Sequence, residues 1–217
     1  MNSRTPGINR GARARRTLTS ALAGNANPRY EQALAFAAEA HGAVRQARKG
    51  TDFPYVSHPI RVAEILSRFW CGEDAVVAGF LHDVIEDSRT TAGDISSAFG
   101  PRVAALVVAV SEPDKSLPRK TRMQQTIDHL AHERDEDVLA LVAADKLDNI
   151  RSIADSISHV GHERTWGLFN APRPTQHWYY RAIAAALLGK DPDSRLFRTL
   201  DLETRALFDD SPRGATG

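Results

Sequence analysis

Several features that would place a chain outside the ordinary helical and globular proteins are missing here. A single cysteine, Cys71, means that no internal disulfide framework and no thiolate zinc site can form, and it fits a reducing cytosol. No apolar run approaches the roughly 20 residues that span a bilayer, and no apolar h-region of a secretory signal is present. Charge of one sign is not in excess. The 28 Lys and Arg nearly balance the 27 Asp and Glu, so bulk charge gives no reason to expect nucleic acid as a partner. Alternation of apolar and polar residues, the mark of a half-buried strand, is not sustained anywhere. There is also no internal repeat and no heptad run.

What remains is helical periodicity over a chain long enough, at 217 residues, to bury one sizeable core. The pattern predicts helices at about 30–44, 59–70, 74–87, 91–99, 102–110, 119–132, 136–155, 161–169, 173–189 and 193–208. Pro59 and Pro101 suit first helical turns. Thr91 and Asp94 resemble a capping box with Asp in place of the usual Glu or Gln. The expected fold is all-α, a single-domain helical bundle with short connections. It occupies residues 28–208, between a basic, disordered tail (1–27) and a frayed C-terminus (209–217). Residues 1–30 hold six arginines and no acidic residue, and an RNA-binding arm or a transit peptide are alternatives to a solvated tail.

The densest chemistry lies in Leu81-His82-Asp83-Val84-Ile85-Glu86-Asp87. On a helix turning about 100° per residue, His82, Glu86, Asp83 and Asp87 share an arc of roughly 140°. Ala75, Val76, Gly79 and Phe80 project onto that same arc and are apolar, so the polar cluster begins where a buried helix ends. Carboxylates in such surroundings are costly unless paired or bound to a metal, and a His-Asp pair supplies N and O ligands. His58 stands just before Pro59 at the start of another apolar helix, where a lone His also reads as a cap or a satisfied core residue. Asp145 follows the apolar run 138–144. A salt bridge to Lys146 or Arg151 would account for Asp145, but Lys146 is adjacent and is expected to project elsewhere, so a distant cation serves as well.

The order His58, His82-Asp83, Asp145 resembles the H…HD…D pattern of the HD-domain metal-dependent phosphohydrolases. Within them, Arg48-Lys49, Pro54-Tyr55-Val56-Ser57-His58-Pro59, Leu81 to Asp87, Phe99-Gly100 and Asp145-Lys146-Leu147-Asp148-Asn149-Ile150-Arg151 are similar to the hydrolase domain of RelA/SpoT-type enzymes. Those enzymes remove the 3′-pyrophosphate of guanosine alarmones. The resemblance is strong over about residues 30–155 and looser beyond. It implies a fold of the HD-domain phosphohydrolase type and a stand-alone small alarmone hydrolase, too short for the synthetase and regulatory domains.

The roles that follow are those the resemblance implies. His58, His82, Asp83 and Asp145 would hold one divalent ion, usually manganese (Mn2+), with iron or zinc as alternatives. Glu86 and Asp87 would orient or deprotonate the attacking water. Arg48 and Lys49 would meet the base and phosphates, Asn149 would lie near the ribose, and Lys115 in the run Lys115, Arg119, Lys120 and Arg122 would bind phosphate. Arg151 would hold a phosphate or pair with Asp148 or Asp155. Asp148 departs from the family, which tends to carry an aromatic residue or His there; its charge would disfavour a highly phosphorylated ligand or help to hold a cation. The segment Gly50-Thr51-Asp52-Phe53 differs in length from the long enzymes.

The expected reaction is metal-dependent hydrolysis of ppGpp, pppGpp or ppApp to a nucleotide and pyrophosphate. A nucleotide phosphatase of other specificity, such as one acting on the 2′-phosphate of NADPH, is the enzymatic alternative, and a non-catalytic nucleotide-binding module is the other. A cytoplasmic setting follows from the resemblance. Partners are a nucleotide substrate, with a homo-oligomer and a cognate alarmone synthetase left open, and neither a membrane nor nucleic acid is expected. His129, His132, His159, His162 and His177 match no motif and are read as surface or packing residues. Trp178-Tyr179-Tyr180 is read as core, with one Tyr hydroxyl able to reach the pocket rim.

Overall fold

In the computed structural model, residues 27–43, 55–112 and 116–209 are described. Among them all the regular structure is helix: α1 (Pro28–Ala43), α2 (Ser57–Arg68), α3 (Glu73–Leu81), α4 (Val84–Asp87), α5 (Ala92–Phe99), α6 (Pro101–Val110), α7 (Arg119–His132), α8 (Glu136–Val160), α9 (His162–Gly167), α10 (Arg173–Lys190) and α11 (Arg195–Asp209). The all-α expectation holds. No described helix is long and apolar enough to cross a membrane.

The 25-residue α8 is the axis of the bundle and packs against α2, α3, α6, α9, α10 and α11. Its length exceeds the sequence reading of 136–155, because the turn Ser156 to Val160 still continues the helical ladder, which ends only at Gly161 with φ +83°. Asp135 caps its start by accepting from Asp137 N. Helix α3 is enclosed by α1, α2, α6 and α8, and Ala75 to Gly79 and Leu81 are all buried. The α2–α3 approach is unusually close at Gly79. A Cβ there would sit 2.8 Å from Leu66 Cδ1 and 3.1 Å from Ala63 Cα, so only glycine lets the two helices meet at this distance. The capping box at Thr91 and Asp94 is present in both directions. The α5–α6 corner turns on Gly100 at φ +93°, followed by Pro101.

One expected helix is two. The 74–87 segment breaks at His82-Asp83, so that α3 ends at Leu81 and α4 restarts at Val84. On a continuous helix consecutive side chains diverge by about 100°. At the break Asp83 adopts φ −98°, ψ −8°, and the two neighbouring side chains converge, with His82 Nε2 3.2 Å from Asp83 Oδ2. The two side chains meet where α3 gives way to α4.

Candidate metal centre and active site

Three helix ends and one helix middle supply the site. His58 comes from the first turn of α2, His82 and Asp83 from the α3–α4 break, and Asp145 from the middle of α8. The tight α2–α3 contact at Gly79 sets the spacing of the two histidines. Both are buried, 3% and 4% exposed, and their Nε2 atoms lie 3.2 Å apart. Asp145 Oδ1 is 3.3 Å from His58 Nε2 and 4.0 Å from His82 Nε2. Asp83 Oδ2 is 3.5 Å from His58 Nε2. Ligand atoms of His58, His82 and Asp145 all fall within 4.8 Å of one another.

The hydrogen bonds behind the two rings fix what faces inward. His58 Nδ1 lies 2.7 Å from Asp148 Oδ2, and His82 Nδ1 lies 3.0 Å from the Gly79 carbonyl oxygen. A carboxylate and a carbonyl can only accept, so each Nδ1 carries the proton. Each ring, when neutral, therefore directs its Nε2 lone pair into the same small space, where a metal ion or, in its absence, a proton can sit. Two lone pairs at that distance repel unless positive charge lies between them. Two nitrogens bound to one cation at about 2.1 Å, with an angle of 90–110°, would be roughly 3.0–3.4 Å apart. The donor set of two imidazoles and two carboxylates thus fits a divalent ion.

The electrostatics agree. Burial opposes charge on His58, but hydrogen bonds to Asp145 and Asp148 and the charge of Asp83 outweigh it and raise its pKa to about 9. Burial likewise opposes charge on His82, and Asp83 overcomes it, so the pKa rises. Burial would push Asp83 and Asp145 up. Instead His82 and His58 hold Asp83 below the usual carboxylate range, while Lys146 and the two histidines do the same for Asp145. The cluster favours positive charge at its centre.

Three neighbours named in the sequence take contacts that the sequence did not specify. The Tyr55 hydroxyl donates to Asp83 Oδ2, and its own ionisation is pushed up by burial and by the charges of Asp83, Asp87 and Asp145. Tyr55 lies in the quoted segment around His58; a hydroxyl three residues before a buried His was the available signal. Asp148, 1% exposed, holds His58. Its signal was its i+3 spacing from Asp145 on the same helix. Lys146 corrects the expectation that it would point away: its Nζ donates to Asp145 Oδ2 at 2.6 Å and lies 5.7 Å from the centre of the Tyr179 ring. Its flexible four-carbon stem lets the ammonium fold back on its neighbour, which the projection of Cβ atoms does not capture.

The remaining candidates separate into groups. Glu86 and Asp87 stand on α4, beside the break. Glu86 Oε1 accepts from Glu112 N at 2.7 Å, and the Glu112 side chain accepts from Arg122, so that part of the basic run is tied to the α4 region. Asn149 donates to Asp145 Oδ1 at 2.6 Å. Arg151 pairs with Glu203 of α11 through two hydrogen bonds of 2.8 and 2.6 Å, not with Asp148 or Asp155, because α11 packs directly across this part of α8. Arg48, Lys49 and Lys115 lie outside the described residues, as do segment 50–53 and the basic tail. Tyr179 and Tyr180 are core, but Trp178 is 37% exposed, one helical step away from the face they bury. A cavity of about 250 Å³ along α2 and α8 is lined by both signs of charge, Arg61, Arg68 and Arg151 with Glu64, Asp148 and Asp155; Asp83 and Asp145 do not line it.

Comparison with known proteins gives this geometry a family. The HD-domain family matches residues 33–166. The guanosine-3′,5′-bis(diphosphate) 3′-pyrophosphohydrolase MESH1 of Danio rerio is 42% identical over 123 residues, 54% of this chain and 65% of that enzyme. This is slightly less than two thirds of the zebrafish protein. The enzyme of the same name from Drosophila melanogaster is 38% identical over 128 residues, 58% of this chain and 69% of that enzyme. Among solved structures, a metazoan orthologue of SpoT that hydrolyses ppGpp and plays a role in starvation responses superposes with a TM-score of 0.68 at 29% identity, covering 85% of this chain and 96% of its own. The chain belongs to the HD-domain family, the same family as these pyrophosphohydrolases.

Proposed function

We propose that this protein is a divalent-metal-dependent phosphohydrolase that removes the 3′-pyrophosphate of ppGpp-type nucleotides. The observation that carries the reading is the pair of inward-facing Nε2 atoms 3.2 Å apart, flanked by Asp83 and Asp145. Relatives up to 42% identical are guanosine-3′,5′-bis(diphosphate) 3′-pyrophosphohydrolases, and they supply the substrate class.

His58, His82, Asp83 and Asp145 hold the ion, which we assign as manganese from its tolerance of mixed imidazole and carboxylate ligands. A bound divalent cation supplies Lewis acidity toward phosphoryl oxygen and an activated water. Glu86 takes the proton from the attacking water, and Asp87 orients that water. Water adds to the 3′ phosphorus as the bond to the ribose 3′ oxygen breaks, and that oxygen leaves with a proton as a hydroxyl. Arg48, Lys49 and Lys115 meet the base and the phosphates. Asn149, which donates to Asp145 Oδ1, steadies that carboxylate, and we assign it to the ribose as well. Arg151 is assigned to the α8–α11 contact, since Glu203 already occupies its guanidinium.

The test is product identity. Metal-stripped protein is incubated with ppGpp, ppApp and NADPH, with and without Mn2+, beside Asp83→Ala. Manganese-dependent release of pyrophosphate from ppGpp or ppApp, absent in the variant, is the expected result. Orthophosphate from NADPH alone would transfer the assignment to a 2′-phosphatase.

A further inference from the structure

We propose that Asp148 is a positioning residue that makes His58 the stronger of the two imidazole ligands and thereby sets the affinity of the site for its cation. The proposal rests on the metal-dependent reading above. Asp148 is 1% exposed, and a carboxylate buried that deeply costs free energy unless something offsets it. Among the described residues it meets His58 Nδ1 at 2.7 Å, and the half-exposed guanidinium of Arg61 lies at 3.9 Å.

The two histidines are held differently. His82 donates to a neutral carbonyl, that of Gly79, at 3.0 Å, whereas His58 donates to an anion at a shorter distance. A carboxylate behind an imidazole fixes its tautomer and ring orientation and raises the basicity of the opposite nitrogen; loss of such a partner typically weakens metal binding 10- to 100-fold. Both rings are buried and their Nε2 atoms meet at 3.2 Å, with Asp145 nearer to His58 and Asp83 nearer to His82. Behind the rings the difference is one of charge, a carboxylate for His58 and a neutral carbonyl for His82. Asp148 reaches His58 across 90 residues of sequence, from the helix that also bears Asp145, so one face of α8 supplies both a direct ligand and the support of another.

The experiment measures metal affinity without substrate. Mn2+ and Zn2+ are titrated calorimetrically into metal-stripped wild type, Asp148→Asn and Asp148→Ala, with thermal unfolding confirming that each variant is folded. Asp148→Ala is expected to bind 10- to 100-fold more weakly. Asp148→Asn, whose carbonyl oxygen still accepts from Nδ1, should fall between it and wild type. In the Zn2+-loaded proteins, the imidazole N–H resonance assigned to His58 Nδ1 should be present in wild type and lost in Asp148→Ala. Unchanged affinity in both folded variants, or a His58 Nδ1 proton indifferent to the substitution, would overturn the positioning role alone. Failure of wild type to bind either ion would overturn both this proposal and the metal-dependent function.

Discussion

Lys146 is next to Asp145 in sequence, yet its ammonium returns to the neighbouring carboxylate at 2.6 Å. Both side chains are largely shielded, 18% and 16% exposed, so the pair behaves as a buried one. Breaking such a pair leaves an uncompensated charge and costs about 3–5 kcal/mol. The imidazoles of His58 and His82 also offset Asp145, which places the expected loss for Lys146→Met near the lower end, about 3 kcal/mol, in the metal-free protein. Urea unfolding with and without Mn2+ would measure it. The penalty should shrink when the cation is present, because a second positive charge then faces Asp145. Equal stability of the metal-free variant and wild type would show that Lys146 does not balance that carboxylate.

Two helix contacts make separable predictions. At Gly79 an added methyl would press on Leu66 and on the backbone of Ala63. Gly79→Ala should therefore cost about 1–3 kcal/mol through overpacking. It should also weaken Mn2+ binding, since α2 carries His58 and α3 leads directly into His82. Gly42, at the C-terminal end of α1, is the control: a Cβ there meets nothing within 4 Å. Gly42→Ala should be neutral or stabilising by up to about 1 kcal/mol, with metal affinity untouched. The tie between Arg151 and Glu203 joins α8 to α11 at partly exposed positions, 39% and 34%. Arg151→Ala should cost no more than about 1 kcal/mol and leave KM for ppGpp unchanged. A KM raised several-fold would instead return Arg151 to the substrate side of the site.

At the scale of the whole molecule, a ligand that binds only the folded chain stabilises it by mass action, about 2.7 kcal/mol at 100 times its Kd. For a chain of this size that corresponds to a rise in Tm of roughly 5–10 °C. Added Mn2+ should produce such a rise in wild type and none in His82→Ala, as read by differential scanning calorimetry. The same scale shows what the sequence could reveal. The helices were legible because periodicity, prolines at first turns and the Thr91 capping box act within a few residues of themselves. The gathering of His58, His82, Asp83 and Asp145 was suggested by their order and by their place beside apolar helices. The break at His82-Asp83 was not legible, because either residue is tolerated within a helix and both keep right-handed helical dihedrals across it. Partners far apart in sequence were hidden for a simpler reason: Tyr55 and Asp83, Arg151 and Glu203, and His58 and Asp148 are separated by 28, 52 and 90 residues, and no local rule pairs them.

The central claim is that one cation, held by two imidazoles and two carboxylates, supports release of pyrophosphate from a ppGpp-type nucleotide. Its most direct test is a stoichiometric titration. Metal-stripped protein at a concentration well above the Kd for Mn2+ receives Mn2+ in fractions of an equivalent, and the initial rate of pyrophosphate release from ppGpp is read at each step. The account predicts a rate that climbs in proportion to added metal and levels at one equivalent per chain, with no climb in Asp145→Ala. Turnover without metal, or a plateau reached only at two equivalents, would contradict it.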